Sequence, residues 1–181
     1  MNYLLAALLI GTSLRVEAQQ LYKLSEGKVS FRSDAPLELI QASTESMVGL
    51  IDVNKQTFAF RIPVSTFEGF NSPLQREHFN ENYLETDRYP NAQFSGEIDG
   101  EIDFSKPGAY EVFAKGIFDL HGIKQERAIQ ALVTVSRNGD VEISSNFIVQ
   151  LKDHDIKIPT IVRYKIAETI NVSFTATMIK R

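Results

Sequence analysis

Three histidines are the residues of this chain whose side chains could bind a metal ion or transfer protons near neutral pH. His78, His121 and His154 lie far apart in the sequence, and none has the His-Glu-x-x-His spacing that places two ligands on one helical face. Cysteine is absent, which excludes a thiolate nucleophile and any cysteine-ligated metal centre. We therefore predict no metal site and interpret the histidines as surface or hydrogen-bonding residues. Asp153 and Asp155 beside His154 would favour its protonated form.

Motifs for covalent catalysis and nucleotide binding are missing as well. The sequence has no Gly-x-Ser-x-Gly nucleophile turn, no phosphate-binding loop and no Gly-x-Gly-x-x-Gly dinucleotide motif. Glu97, Asp99, Glu101 and Asp103 alternate along the chain, and two such carboxylates could serve a glycosidase. A polar outer strand face with a turn at Gly100 explains this spacing more simply. The sequence therefore predicts no catalytic residues and a protein that is not an enzyme.

Charge and aromatic content narrow the classes of partner. The chain has 181 residues and a net charge of −4, and its lysines and arginines are scattered, so we predict no nucleic-acid-binding surface. Phenylalanine is abundant, with 12 residues against 6 tyrosines and no tryptophan. Because phenylalanine has no polar group, these rings must be buried or face an apolar molecule.

The N-terminus has the pattern of a secretory signal peptide. Residues 4–10 form an unbroken apolar run, too short to cross a bilayer, which takes about 20 apolar residues. Val16-Glu17-Ala18 then matches the small-x-small cleavage pattern. We predict cleavage after Ala18, so that residues 1–18 are removed and residues 19–181 remain as one domain. That domain has no predicted transmembrane segment and is expected in the periplasm or outside the cell.

Beyond residue 18 the apolar residues recur with a period of two, which predicts half-buried β-strands. In each run one face is apolar and the other is polar, as expected when one side of a strand faces a core. The clearest runs cover residues 56–62, 112–120, 129–135, 141–151 and 166–178.

Two local signals punctuate this pattern. Asn138-Gly139 predicts a type I′ hairpin turn, because both residue types tolerate positive φ. Ser72 followed by Pro73 predicts a helix start, and residues 74–84 contain no glycine or β-branched residue. One short helix is therefore expected among the strands.

About eight or nine strands with one short helix predict an all-β fold, either a closed barrel or a sandwich. Strands of about ten residues with one wholly apolar face favour the barrel. The interior of a barrel of about eight strands is just wide enough for side chains or for one slender ligand. Small residues lie among the large ones on the inward faces: Ala114, Gly116, Ala131, Ser145 and Ala176. These residues could interleave with phenylalanines in a packed core or leave a lumen, and the pattern supports both.

Three segments have motifs similar to those of one known family. Arg76-Glu77-His78-Phe79 precedes Tyr89-Pro90-Asn91-Ala92-Gln93-Phe94, similar to a helix with a charged-x-His segment followed by Tyr-Pro-x-x-x-Phe. Residues 116–124 look like a Gly-x-Leu-x-x-His-Gly-x-x-Lys strand and turn. Residues 147–159 resemble an Asp-Tyr-Gly-x-x-x-Pro segment, with His154-Asp155 in place of the aromatic residue and glycine. Over residues 22–178 the chain thus resembles the YceI-like family of bacterial lipocalin-like, polyisoprenoid-binding proteins.

The resemblance implies an all-β, eight-stranded antiparallel, lipocalin-like barrel with one short helix. It also implies that a polyisoprenoid, quinone or fatty-acyl chain is bound in the lumen without catalysis. No cofactor is expected, apart from such an isoprenoid or quinone bound as a ligand. A lumen of this kind needs inward phenylalanines and a few polar groups at its mouth, for which Arg76, His78 and His121 are the candidates. The phenylalanines expected to bind ligand are Phe58, Phe60, Phe79, Phe94, Phe118, Phe147 and Phe174.

Two other functions remain compatible with the sequence. A barrel filled by its own side chains would act as a stress-response or protein-interaction module, and a structure without a connected cavity would favour it. A lipid-modifying enzyme on the same barrel would lose turnover, with binding intact, when one of the three histidines is substituted. A homodimer is also compatible with the sequence, which does not fix the oligomeric state.

Overall fold

A computed structural model describes residues 20–181, so the predicted signal peptide at residues 1–18 lies outside the described residues. Within residues 20–181 the chain forms nine strands and a helix, α1, over Pro73–His78, which continues into a π-helical turn over Phe79–Tyr83. In this range no helix is both long enough and apolar enough to span a bilayer. The strands are β1 Leu21–Asp34, β2 Leu39–Thr44, β3 Val48–Asp52, β4 Thr57–Pro63, β5 Asn91–Asp99, β6 Gly108–Leu120, β7 Ile123–Val135, β8 Val141–Gln150 and β9 Thr169–Lys180.

The nine strands close into a barrel of eight positions, because β2 and β3 together occupy one position. β2 pairs with residues 29–34 of β1, and β3 pairs with residues 21–23 of the same strand. β1 also pairs with β9, and this contact closes the wall. From β3 to β9 each strand pairs antiparallel with the next strand in the chain. The expected eight-stranded antiparallel barrel with one short helix is confirmed.

Alternation of apolar and polar residues places the strands in the wall as predicted, with one boundary corrected. In β8, Val141 points inward and is fully buried, whereas its neighbour Glu142 is exposed. β9 follows the same rule but begins at Thr169, not at Ile166 as the pattern predicted. The amide of Ile166 donates to the carbonyl of Val162 at 3.2 Å, so the backbone there turns and cannot extend as a strand.

A tight turn with two left-handed residues is present, but at a different place from the predicted one. His121 has φ 54° and Gly122 has φ 73°, as a type I′ turn requires, and the two residues join β6 directly to β7. A hairpin also forms at Asn138-Gly139, where Gly139 has φ 88° but Asn138 does not have positive φ. The Asn138 side chain accepts a hydrogen bond from the amide of Asp140 at 3.2 Å, which favours another turn type.

Antiparallel order places alternate connections at opposite ends of the barrel. We name the end that carries the two long connections, residues 64–90 and 151–168, the open end, and the opposite end the closed end. α1 belongs to the first long connection and therefore lies at the open end. The closed end is filled by side chains, with Tyr22 at 1% exposure and Met178 at 0%.

The wall is incompletely paired between β7 and β8. Their ladder covers only residues 132–135 and 141–144, near the closed end. Towards the open end side chains join the two strands instead. Ser145 Oγ donates to a β7 carbonyl at 2.5 Å, and Arg127 Nη2 donates to a β8 carbonyl at 2.6 Å. This part of the wall is therefore held by side-chain hydrogen bonds and packing instead of a continuous backbone ladder.

Candidate functional site

A cavity of about 520 Å³ occupies the interior of the barrel. All nine strands contribute inward-facing side chains to its lining, and so do both long connections at the open end. The lining is almost entirely aliphatic and aromatic. Its volume lies within the range of about 300–1,000 Å³ that is typical of small-molecule sites.

The strand phenylalanines that the sequence singled out lie together on this cavity. Phe58 and Phe94 meet edge to face with ring centroids 4.9 Å apart, and Phe60 meets Phe174 in the same way at 5.1 Å. The ring centroid of Phe118 lies 6.1 Å from that of Phe94 and 6.3 Å from that of Phe147 on β8. The rings of this aromatic wall are Phe58, Phe60, Phe94, Phe118, Phe147 and Phe174. Their contact with a ligand remains a prediction.

Several of these rings point inward and yet keep accessible surface. Phe60, Phe94 and Phe118 are only half-buried, whereas Phe58, nearer the closed end, is 6% exposed. In a core filled by its own side chains, inward-facing rings would lose nearly all of their accessible surface. The accessible apolar surface therefore borders an open lumen.

The small inward residues have three different roles. Ala176 is 4% exposed and belongs to the packed core at the closed end. Gly116 pairs with Gly96 on the neighbouring strand, and a Cβ on either residue would collide with the backbone of the other strand. Of the five small residues that the sequence singled out, those that line the cavity are Ala114, Ala131 and Ser145. These three leave space where larger residues would fill the lumen.

A second aromatic cluster narrows the lumen at the open end. Phe31 stacks on Phe79 with centroids 5.4 Å apart and ring planes 12° apart. Phe70 lies 5.0 Å from Phe79, and Phe67 lies 5.4 Å from Phe31. All four rings line the cavity, but the sequence pointed only to Phe79. Phe67 and Phe70 belong to the irregular segment 64–72, where no periodicity indicates which side chains face inward.

α1 begins as predicted and changes its geometry where it reaches the cavity. Ser72 Oγ accepts a hydrogen bond from the amide of Gln75 at 3.2 Å, which caps the helix. After α1 the amide of Leu84 donates to the carbonyl of Phe79 at 2.9 Å, the spacing of a π-helical turn. Phe79, Tyr83 and Leu84 all line the cavity. Burial raises the pKa of the Tyr83 hydroxyl, so this group stays neutral at physiological pH.

A few polar side chains lie among the lining residues at the open end. His78 is one of them, as predicted, and the others include Glu38, Ser72, Gln75 and Lys165. Gln75 Nε2 donates to Glu38 Oε1 at 2.9 Å and so joins α1 to the β1–β2 connection. An apolar lumen with few polar groups at its mouth can hold an apolar chain and leave a polar head group near water.

Arg76 and His121, which were expected at the mouth, are not among the cavity-lining residues. Arg76 Nη2 donates to the carbonyl of Ser65 at 3.1 Å in an exposed position. The His121 ring packs edge-on against Tyr89 with centroids 4.7 Å apart, and its Nδ1 bonds to the carbonyl of His154 at 2.9 Å. The left-handed turn at His121 directs its side chain into this packing instead of into the lumen. Both side chains therefore make their contacts outside the cavity lining, and their contact with a ligand remains a prediction.

His154 is a core residue, and its environment reverses the expected effect on its charge. It is 0% exposed, and Nδ1 lies 3.2 and 3.3 Å from the carbonyls of Leu120 and Ile123, so Nδ1 must be the protonated nitrogen. Nε2 is buried and has no hydrogen-bond partner among residues 20–181. Burial lowers the pKa of His154, because a second proton would place an unpartnered charge in the core, and this outweighs the nearby carboxylate of Asp153.

On β5, the alternating acidic residues Glu97 and Asp99 do not form a carboxylate pair across a cleft. Glu97 and Asp99 point outward from β5 and are exposed, and Asp99 forms an ion pair with Lys115 at 2.5 Å on the next strand. Within the described part of the chain, no three His, Asp or Glu side chains are grouped so that they could hold a metal ion.

Several solved structures of bacterial proteins share this architecture at low sequence identity. A polyisoprenoid-binding domain from Saccharophagus degradans, implicated in plant cell wall breakdown, superposes with a TM-score of 0.75 at 15% identity over 88% of this chain and 98% of its own. BcnA of Burkholderia cenocepacia gives 0.66 at 15% identity over 83% and 95% of the two chains. The YceI protein of Campylobacter jejuni gives 0.53 at 13% identity over 100% and 98%.

The family comparison covers nearly the whole described chain. No curated protein matches the chain. The model of the YceI-like domain, in contrast, matches residues 20–178, which includes all of β1 to β8, nearly all of β9 and both long connections at the open end. The protein therefore belongs to the family defined by the YceI-like domain.

Proposed function

We propose that this protein binds the apolar chain of a lipid in its lumen and carries or sequesters it without chemical change. The accessible inward surface of Phe60, Phe94 and Phe118 is the observation that supports this most directly. Apolar surface that is neither packed nor freely exposed to solvent favours an apolar occupant, because such an occupant completes its burial. A polyisoprenoid, a quinone with an isoprenoid tail and a fatty-acyl chain all meet this requirement.

Apolar burial alone can supply the affinity. Each buried methylene contributes about 0.8 kcal/mol, so a chain that buries about ten of them gains roughly 8 kcal/mol. That gain corresponds to a roughly micromolar dissociation constant before the cost of immobilising the chain is subtracted. No strong polar contact is therefore required inside the lumen, and its lining provides few.

The open end supplies the contacts that would select a head group. His78, Gln75, Glu38 and Lys165 border the cavity there, and the Gln75–Glu38 hydrogen bond fixes two of them relative to each other. A neutral head group with carbonyl or hydroxyl oxygens matches this set, because His78 and Lys165 offer donors and Glu38 offers an acceptor. The polar groups would thus orient the lipid with its tail towards the closed end.

The expected compartment is the periplasm or the exterior of the cell. The apolar run at residues 4–10 and the cleavage pattern ending at Ala18 support export. In an aqueous compartment between or outside membranes, an apolar chain needs a protein cover, because its exposure to water costs free energy in proportion to its area. The proposed compartment and the proposed cargo are therefore consistent with each other.

Lipid extraction from the purified protein tests the proposal. Ala114 faces the lumen and is half-buried, so Ala114→Phe should fill part of the cavity, whereas the outward-facing Ala128→Phe should not. We expect mass spectrometry of the extract to find an apolar lipid in the wild type and in Ala128→Phe, and clearly less lipid in Ala114→Phe. A wild-type protein that is always empty, and that fails to take up quinones or fatty-acyl chains, would contradict lipid binding.

A further inference from the structure

The mouth of the lumen is bordered by apolar side chains that project into solvent. Ile161 is 91% exposed, Leu37 is 72%, Leu74 is 56% and Tyr164 is 51%. We call these four residues the rim. They come from three separate connections at the open end, which are residues 35–38, 64–90 and 151–168. Isolated exposed apolar residues are ordinary, but several around one opening form a surface that favours an apolar partner.

Hydrogen bonds hold the rim together as one surface. The amide of Leu37 donates to the carbonyl of Tyr164 at 2.9 Å, which ties the β1–β2 connection to the β8–β9 connection. Asn71 Nδ2 donates to the carbonyl of Leu39 at 2.9 Å, which ties the segment before α1 to β2. Leu74 belongs both to the rim and to the cavity lining, so the rim is continuous with the lumen.

Positive charge accompanies the rim on its β8–β9 side. Between Lys157 and Lys165 the chain carries three cationic residues and no acidic one, although the whole protein has a net charge of −4. Arg163 lies over the ring of Tyr164 at 4.7 Å and donates to its hydroxyl at 2.7 Å. Lys157 lies 3.5 Å from exposed Asp155, and Arg163 and Lys165 are exposed. The α1 side of the mouth is different, with exposed Glu77 and Glu81.

These features match the interface of a lipid bilayer better than a protein partner. Tyrosine with arginine or lysine is the combination found at the boundary between head groups and acyl chains, and cationic residues are attracted to anionic lipids. A specific protein partner would need about 800 Å² of well-packed surface on each side. Four side chains around an opening do not provide a continuous face of that kind, but each could insert separately among lipids.

We propose that the open end docks on an anionic bilayer surface through the rim. Ile161 and Tyr164 insert among the lipids, while Arg163 and Lys165 lie at the head groups. The acidic α1 side tilts away from the negative surface, so the β8–β9 side makes the closest approach. This inference rests on the proposed function, because docking in this orientation places the mouth of the lumen against the membrane from which an apolar chain would enter.

Vesicle co-sedimentation tests the docking surface. The vesicles are equal mixtures of phosphatidylglycerol and phosphatidylcholine, with pure phosphatidylcholine for comparison. We expect the wild-type protein without residues 1–18 to bind the anionic vesicles more strongly than the pure phosphatidylcholine vesicles, and to be released from them by salt. The double variant Ile161→Ser/Tyr164→Ser should bind them about tenfold or more weakly, since two apolar anchors are lost. The matched variant Leu50→Ser/Leu132→Ser removes apolar residues that are 39% and 42% exposed on the outer wall, and it should bind like the wild type.

The lipid content of the same proteins separates this inference from the proposed function. If the protein contains lipid but binds no vesicles, docking is overturned and lipid binding stands. If it binds vesicles through the rim but never contains lipid, docking stands and lipid binding fails. Equal vesicle binding by both double variants would also overturn docking. So would light scattering that shows a dimer lost only in the Ile161→Ser/Tyr164→Ser variant, together with no vesicle binding, because the rim would then be a contact between two copies of the chain.

Discussion

The closed end and the lumen of this barrel are built from the same strands, but they are packed to different degrees. On β8 and β9, Val141 and Met178 lie at the closed end and have no accessible surface. Phe147 and Phe174 follow the same inward alternation on these two strands and stay half-buried. The alternation of inward and outward side chains is therefore the same in both regions. The two regions differ only in how completely side chains fill the interior of the barrel.

The connections account for that difference. At the closed end the link between β5 and β6 folds Phe104 across the barrel, where it is 7% exposed and its ring lies 5.7 Å from that of Tyr22. At the open end the long connections line the mouth without filling the interior. An alternating pattern thus determines which side chains point inward, whereas the connections determine which end of the barrel is packed and which end is open.

The largest effect is expected at the closed end. Met178→Ala should lower the free energy of unfolding by about 2–5 kcal/mol, because it leaves a hole in a fully packed region. Ile179→Ala, at a neighbouring side chain that is 42% exposed, should change it by about 0.5 kcal/mol or less. Urea denaturation measures both values. A similarly small loss in the two variants would show that the closed end is not the main source of stability.

A smaller loss of stability is expected in the lumen. Phe94→Ala should cost about 2 kcal/mol or less, below the usual range for a phenylalanine in a filled core, since the ring is only half-buried in the empty protein. The same substitution should reduce the amount of co-purified lipid, because the ring belongs to the aromatic wall. Phe58→Ala, near the closed end, is the comparison and should cost more stability. Equal losses in the two variants would contradict an open lumen.

The smallest effect is expected in the pH dependence of stability, through the buried residue His154 near the open end. His154 has a lowered pKa in the folded protein, so below about pH 6.5 the unfolded chain binds more protons than the folded one. Its contribution to stability is therefore fully present above that pH and is lost as the pH falls, with a slope of at most about 1.4 kcal/mol per pH unit.

Replacing His154 with asparagine removes the titrating imidazole. The asparagine side-chain amide can still donate to the carbonyls that Nδ1 of His154 contacts. His154→Asn should flatten the fall in stability measured by denaturation between neutral and mildly acidic pH. His78→Asn, at an exposed position, is the matched histidine variant for this comparison. Identical slopes in the wild type and His154→Asn would show that the buried imidazole does not control this pH dependence.

Strand patterning predicted most of the wall and five of the cavity phenylalanines, because an inward direction follows from a period of two, whereas the family resemblance pointed to Phe94. It could not predict that β2 and β3 share one barrel position, since that depends on where β1 changes partner. Nor could it distinguish a lumen from a packed core. Ala114 and Ala176 are the same residue type on inward faces, yet Ala114 lines the cavity and Ala176 belongs to the packed core.

The polar part of the site was harder to predict than the apolar part. His78 borders the cavity, but His121 and Arg76 do not, because their directions are set by a left-handed turn and by an exposed hydrogen bond. Lys165 and Glu38 gave no signal, since irregular connections have no period from which an inward side could be derived. Their positions follow from contacts between connections that are distant in sequence.

The pairing of β1 with β9 sets the order in which the molecule can mature. These strands are separated by nearly the whole described chain, so the wall closes only when its C-terminal strand is available. Contacts between such distant segments form slowly, and until they form, both open edges present unpaired backbone groups that other chains can join. The wall around the lumen is complete only when β1 and β9 are paired. A newly made chain therefore exposes strand edges that favour aggregation until β1 and β9 have paired.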